Sequence, residues 1–317
     1  MEQQLLEDIK IEALSWGIRV SLEAARWLDQ LSDGPLSIHE YPTTGGLTFE
    51  LPHEVYLNAP FDEWYCSQSD GELVMVKGDP VLRHPSGDTP VLRLLPLPGY
   101  LMAQDDHGRH VTDVAMSHVD RVRLSPIQGC AYDCRFCDLP FEKYTLRDAE
   151  QLAAALAIVV RDEALPIRHL LISGGSPKRR DYSWFEEACG GATRAALEFG
   201  LPVDVMLSPT LDGSDLLDRL VEQGVSGFSI NIELFSDEAA LKYLGRKFRV
   251  TRRVAAEFIS HAVELLGSYG KVRSLIIPGL ESLNDTLAGV QWLSDLGCWT
   301  VLSPFRPAAG TDAAAVP

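Results

Sequence analysis

The sequence predicts an α/β fold: a partial (β/α)6 TIM-like barrel over residues 119–317, behind an N-terminal α+β accessory region over residues 1–118. Three observations carry this. From Asp120 onward, short apolar runs alternate with longer amphipathic stretches, the pattern of a parallel sheet with right-handed helical crossovers. Six such runs occur, fewer than the eight of a closed barrel. Before residue 118 the texture differs, with amphipathic stretches giving way to alternating or β-branched runs separated by turn residues.

In chain order, the apolar periodicity predicts helices over residues 4–16 and 22–31. Strands follow within 46–57, 71–76 and 89–97, the later ones set apart by Lys77-Gly-Asp-Pro80 and Pro85-Ser-Gly-Asp88. The barrel strands are predicted at 121–125, 169–173, 203–208, 227–233, 272–278 and 300–303. Helices are expected over 146–164, 184–199, 213–223, 236–243, 252–266 and 282–296. Parallel sheets of this kind bind ligands beyond the carboxyl ends of their strands, so the residues after each strand are the functional candidates.

With 317 residues, 46% of them hydrophobic and 23% charged, the chain is long enough to bury a large core. No run approaches the roughly 18 apolar residues of a membrane span. The N-terminus lacks the basic, then apolar, start of a signal peptide, so a cytoplasmic location and no membrane partner are expected. The net charge of −17 disfavours a nucleic-acid partner, because such binding rests on basic side chains releasing counterions. The local run Lys178-Arg179-Arg180 reads as a solvated loop. Of six cysteines, Cys66, Cys189 and Cys298 are isolated, whereas Cys130, Cys134 and Cys137 crowd together. In a chain of this length such a cluster points to metal or redox chemistry rather than to a disulfide framework.

The clustered segment reads Ser125-Pro-Ile-Gln-Gly-Cys130-Ala-Tyr-Asp-Cys134-Arg-Phe-Cys137-Asp-Leu-Pro140, between the first barrel strand and its helix. Thiolates spaced four and three residues apart can converge from one short loop on one face of an iron–sulfur cubane. Such clusters are usually held by four cysteines, so three leave one iron open to a chelating small molecule. A structural zinc site would need a fourth nearby ligand, and neither His118 nor His169 has finger-like spacing.

This spacing, with an aromatic residue before the last cysteine, resembles the signature of the radical S-adenosylmethionine (SAM) superfamily. The resemblance implies one [4Fe–4S] cluster on Cys130, Cys134 and Cys137, with SAM chelating the open iron. It also implies reductive cleavage of SAM to methionine and a 5′-deoxyadenosyl radical, with Phe136 against the adenine. Ser173-Gly174-Gly175-Ser176 is similar to the family's Gly-Gly-Glu segment, whose backbone receives the SAM amino group; Ser176 stands where an acid is common. Asn231-Ile-Glu233 is similar to an Asn-x-Asp/Glu element of the biotin-synthase-like branch, which contacts the ribose and methionine portions. In that branch a downstream arginine holds the SAM carboxylate; Arg252 fits best, with Arg253 and Arg249 close behind. Ile277 falls in a segment resembling one that packs on adenine. Ser208, at the mouth of the third strand, is a candidate for SAM or substrate. Ser303 and Arg306 lie in a loop resembling the one that faces substrate, with Arg306 a candidate anchor for an anionic group.

The implied function is a radical SAM enzyme acting on a small-molecule substrate by rearrangement, elimination or carbon–carbon bond formation, in cofactor or specialised-metabolite biosynthesis. An electron donor such as flavodoxin or ferredoxin would supply the reductant. Two other readings stay open on the residues alone: an activating enzyme that installs a glycyl radical on a partner protein, and a zinc-stabilised barrel without catalysis.

Overall fold

The computed structural model describes residues 2–31, 46–210, 214–267, 269–308 and 310–314. Gly213, the first residue of one predicted helix, lies outside them. The chain divides into two compact units, Met1–Gly99 and Tyr100–Pro317.

The first unit contains α1 (Glu2–Trp16), β1 (Arg19–Val20), α2 (Leu22–Leu31), β2 (Leu47–Leu51), β3 (Val55–Ala59), β4 (Glu72–Val76), β5 (Asp79–His84), β6 (Gly87–Pro90) and β7 (Arg93–Leu94). They form a sheet of order β1-β4-β5-β6 and a smaller antiparallel sheet of order β3-β2-β7. Lys77 and Gly78, joining β4 to β5, both adopt positive φ, the backbone that a two-residue hairpin turn demands. Leu47, Phe49, Leu57, Leu73 and Leu82 are fully buried with Ala13, Ala24 and Leu28 of the two helices, making this an α+β unit with its own core.

The second unit runs β8 (Ala115–His118), β9 (Arg121–Leu124), β10 (Ile127–Gln128), β11 (Thr145–Leu146), α3 (Ala149–Val159), β12 (His169–Ile172), α4 (Tyr182–Glu198), β13 (Val203–Leu207), α5 (Asp215–Glu222), β14 (Gly227–Ile230), α6 (Asp237–Tyr243), α7 (Arg252–Leu266), β15 (Val272–Ile276), α8 (Leu283–Asp295) and β16 (Trp299–Leu302). One seven-stranded sheet has the order β8-β9-β12-β13-β14-β15-β16, and every strand pair except β8–β9 is parallel. Its six parallel strands are the six predicted ones. The sheet does not close, and β8 and β16 are its edges.

Right-handed crossovers between successive neighbours carry the helices to one face of such a sheet. Leu152, Phe185, Leu217, Ile259 and Leu293, from α3, α4, α5, α7 and α8, share one core with Val122, Leu124, Leu170, Val205 and Phe228 of the strands. Burying each such side chain contributes about 1.5–3 kcal/mol. The side chains of Asp148, Ser236, Thr251 and Ser282 accept a backbone N–H at the start of α3, α6, α7 and α8, satisfying donors that a helix start leaves open.

Two expectations change. The division falls after Gly99 rather than after residue 118, because β8 is hydrogen-bonded along β9 from Ala115↔Leu124 to His118↔Arg121, and Tyr100, Val111 and Val114 join the barrel core. The fourth parallel strand stops at Ile230 instead of residue 233, where Glu233 turns the backbone to φ 59°.

The opposite face of the sheet carries the alternate residues. Arg121 lies beside His169, and Arg123 beside Leu171, which neighbours Asp204. His169 Nε2 is 3.2 Å from Asp204 Oδ2, and Asp204 also pairs with Arg273. Burial, followed by the charges of Arg273 and Arg121, pushes the His169 imidazole down to about 4. In the unfolded chain it titrates near 6.5, so between these values the unfolded state binds more protons and stability falls as pH falls. Urea unfolding at pH 7.5 and 4.5 should show about 2 kcal/mol less acid loss for His169→Gln than for the wild type.

Candidate active site

The site is assembled at the carboxyl ends of β9, β12, β13 and β14. After β9, the short strands β10 and β11 pair antiparallel and close the base of the loop that carries all three clustered cysteines. Gly129 opens this loop at φ 69°, and a Cβ there would press on the backbone of Glu142 and Tyr144. A Cβ on Gly175 would overlap the carbonyl oxygen of Gly129, so only glycine lets the loop after β12 approach this closely. The Ala131 N–H donates to the Ser176 carbonyl at 3.0 Å, and the Ser176 and Tyr132 N–H groups point at Cys130 Sγ from 3.3 and 3.4 Å.

The loop's other flank rests on the segment after β14. Arg135 N–H donates to the Tyr243 carbonyl at 2.8 Å, and Arg246 N–H donates to Asp133 Oδ1 at 2.6 Å. These contacts with Arg246 hold the Asp133 carboxyl below the usual carboxylate range. Cys134 Sγ lies 3.6 Å from the Leu244 carbonyl oxygen. The cysteine loop is therefore tied to two strand ends at once.

A cavity of about 120 Å3 is lined by Cys130, Cys134, Cys137 and Phe136, facing Gly174, Gly175 and Ser208. Asn231 and Glu233 line it from β14, together with Lys247. Lys247 is almost fully buried, and its Nζ donates to the Glu233 carboxylate at 2.5 Å and to the Asn231 carbonyl at 3.0 Å. Burial pushes the Glu233 carboxyl upward, with Lys247 opposing. The Asn231 side-chain oxygen accepts from Ser229 Oγ and from the Leu275 N–H, both at 3.1 Å, tying β14 to β15. Phe136 and Cys134 pack on an apolar cluster containing Ile277 and Leu244. Ser208 Oγ is 3.3 Å from Ser176 Oγ, while Ser173 Oγ donates to Met206 Sδ.

Five predicted residues do not line this cavity: Ser173, whose hydroxyl is turned to Met206, Ile277 in the apolar cluster, and Arg252, Ser303 and Arg306. Arg252 is exposed, its guanidinium 2.8 Å from Asp237 and over the Phe235 ring. It lines a separate, largely apolar cavity of about 570 Å3 that meets the first at Asn231 and Lys247. Ser303 donates its backbone N–H to the Ile276 carbonyl and, like Arg306, does not line the cysteine cavity. The basic residue that the site does contain, Lys247, is one that motif reasoning passed over. Its signal was chemical: a lysine so close to an expected buried carboxylate has a partner that repays its burial.

Burial pushes the Cys134 thiol up to about 12 and the Cys137 thiol up to about 11, so both are neutral without a cation beside them. A coordinating metal deprotonates such thiols outright. Among the described residues no three His, Cys, Asp or Glu side chains converge on a point suited to one metal ion. A cubane presents its irons at separate corners, so three thiols spread around one cavity, with backbone N–H groups aimed at one sulfur, fit a cluster.

A family model described as the radical SAM superfamily matches residues 124–289, just over half of the chain. The chain belongs to this superfamily, whose enzymes use a [4Fe–4S] cluster and SAM. Among solved structures, HydG, a maturase of the [FeFe]-hydrogenase, is similar at 15% identity and a TM-score of 0.51, over 62% of this chain and 44% of that one. SuiB from Streptococcus suis, solved bound to S-adenosylmethionine, follows at 14% identity and TM-score 0.48, over 63% and 43%. A radical SAM methyltransferase from Sphaerobacter thermophilus shares 15% identity at TM-score 0.44, over 77% and 78%. The chain spans less than half the length of the first two, and at these identities the likeness is one of fold. No curated protein matches significantly.

Gly175→Ala should lower iron content after anaerobic reconstitution several-fold although all three cysteines remain, as read by iron assay and absorbance. Lys247→Met should cost about 3 kcal/mol in urea unfolding by stranding Glu233, and adding Glu233→Gln should recover most of it.

Proposed function

We propose that this enzyme binds one [4Fe–4S] cluster through Cys130, Cys134 and Cys137 and uses it with SAM to transform a small metabolite by rearrangement, elimination or carbon–carbon bond formation. The observation that carries the reading is the gathering of three thiols, the Gly174–Gly175 backbone and the Asn231–Glu233 element around one cavity. A cluster held by Cys130, Cys134 and Cys137 would supply the electron for reductive cleavage of SAM.

The chain's own residues have divisible tasks in this reading. The exposed backbone at Gly174, beside the buried Gly175 in the cavity wall, receives the cofactor's amino group. Glu233, locked by Lys247, offers a fixed acceptor for the ribose or methionine portion, with Asn231 and Ser208 alongside. Phe136 and Ile277 give the adenine an apolar surface and keep water from it. A reduced flavodoxin or ferredoxin is the matching electron donor.

Anaerobic reconstitution should give a brown protein with about four iron atoms per chain, which forms 5′-deoxyadenosine from SAM under dithionite. Alanine at Cys130, Cys134 or Cys137 should each abolish both the colour and the product. A colourless, iron-free wild-type protein would overturn the reading.

A further inference from the structure

No described cysteine lines the cavity of about 570 Å3 that adjoins the cysteine site. Its size falls within the roughly 300–1,000 Å3 of small-molecule pockets. Ile232, Leu234, Ala240, Leu244 and Ala255 wall it, all of them buried. Phe248 also lines it and stays 36% exposed, so this ring marks the side open to solvent. The walls are braced by the fold itself. The Phe235 and Ser236 N–H groups both donate to Glu281 Oε2 at 2.8 Å, and the Phe235 ring packs on Trp292 with centroids 5.9 Å apart. Ser236 and Thr251 cap α6 and α7. Braced apolar walls favour a ligand whose body is apolar, because little has to be ordered when it enters.

The charges around this cavity are unequal. Lys247, Arg249, Arg252 and Arg253 line it against a single carboxylate, Asp237. Three of these cations are already matched: Lys247 by Glu233, Arg252 by Asp237 and Arg253 by Glu257. Arg249 is exposed and has no ion-pair partner among the described residues. It follows Phe248 in the chain, so the one unmatched guanidinium is next to the ring that marks the open side. Asn231 and Lys247 wall this cavity and the cysteine cavity alike, which leaves one layer of side chains between their occupants.

We infer that this cavity is a second small-molecule site, taking a ligand with an aliphatic or aromatic body and one anionic group held by Arg249. The site stands on the cavity's own chemistry; only its bearing on SAM rests on the proposed function. The walls exclude a strongly polar body, which would lose its water without hydrogen bonds in return. A second negative charge would find no unmatched cation here.

The test uses the full-length reconstituted enzyme, kept anaerobic, and two fluorescent probes of one shape: 8-anilinonaphthalene-1-sulfonate, an anion, and neutral N-phenyl-1-naphthylamine. Both should bind. Arg249→Gln should weaken the sulfonate about fivefold at low ionic strength, the scale of one exposed charge contact, and leave the neutral probe unchanged. Arg219→Gln, on an exposed arginine paired with Glu186 of α4, should change neither. Ala240→Phe should weaken both about tenfold by filling the space they need. Saturating SAM should leave the sulfonate bound. Binding that ignores both Arg249→Gln and Ala240→Phe, or displacement of the sulfonate by SAM, overturns the inference. Perdeuterated decanoate, which should displace the sulfonate, separates two sources of such a ligand. With SAM and dithionite, the 5′-deoxyadenosyl radical takes one deuterium atom from an occupant placed as a substrate. Mass spectra then show deuterated 5′-deoxyadenosine, and a buffer thiol returns a hydrogen atom to the carbon radical left behind. Undeuterated product with decanoate bound marks an effector instead. If the probes map to this cavity while the protein loads no iron, the site stands and the radical reading alone falls.

Discussion

The arrangement depends on one close approach, the backbone of Gly175 against the backbone of Gly129 and Cys130. Nothing larger than hydrogen fits between them. The contact sets how far the cysteine loop leans over the sheet, and it brings the Ser176 N–H within reach of Cys130 Sγ. An N–H aimed at a cysteine sulfur is a contact that the sulfur ligands of an iron–sulfur centre accept, and a merely buried cysteine has no use for it. The isolated Cys189 shows the contrast: it is wholly enclosed in the helix-side core, with its thiol pushed far above the usual range.

A second constraint comes from β14. Glu233 holds a left-handed backbone that a glutamate rarely adopts, and its carboxylate is fixed by Lys247. Strain of this kind persists only where the surroundings over-determine it. Here the Glu233 N–H donates to the Leu275 carbonyl, the Ile277 N–H donates to the Glu233 carbonyl, and Lys247 bridges from the far side. The outcome is a polar group presented rigidly beside the cysteines rather than one that must be ordered when a ligand arrives.

Most of the fold was legible because period and length agree within each unit of the barrel. Most of the parallel strands are short apolar runs followed by an amphipathic stretch, and several of those stretches open on a capping residue such as Asp148 or Ser282. The edge strand Ala115–His118 was not legible, since its four mixed residues become a strand only through pairing with β9. The cysteines, the glycines and the Asn231–Glu233 element could be read because local spacing carries them. The choice among Lys247, Arg249, Arg252 and Arg253 could not. All four lie within one short basic stretch, and which one turns inward is decided in three dimensions by the carboxylate of Glu233 at the end of β14.

The same logic reconciles the acidic surface with the basic interior face. Carboxylates on a solvated surface cost little and keep the chain soluble, whereas a guanidinium on a sheet face is partly stripped of water and interacts strongly with whatever replaces it. Burial works against the charge of both Arg123 and Arg273. Asp204 compensates for one of them, and it sits where a side chain on Gly227 would collide with it, so the strand next door has made room for this carboxylate. The buried Nε of Arg123 has no hydrogen-bond partner among the described residues. Burying two guanidiniums on one face while bringing a contacting carboxylate to Arg273, and leaving Glu142 and Asp138 to act on Arg123 from a distance, is a cost the sheet carries in the packing of its own strands.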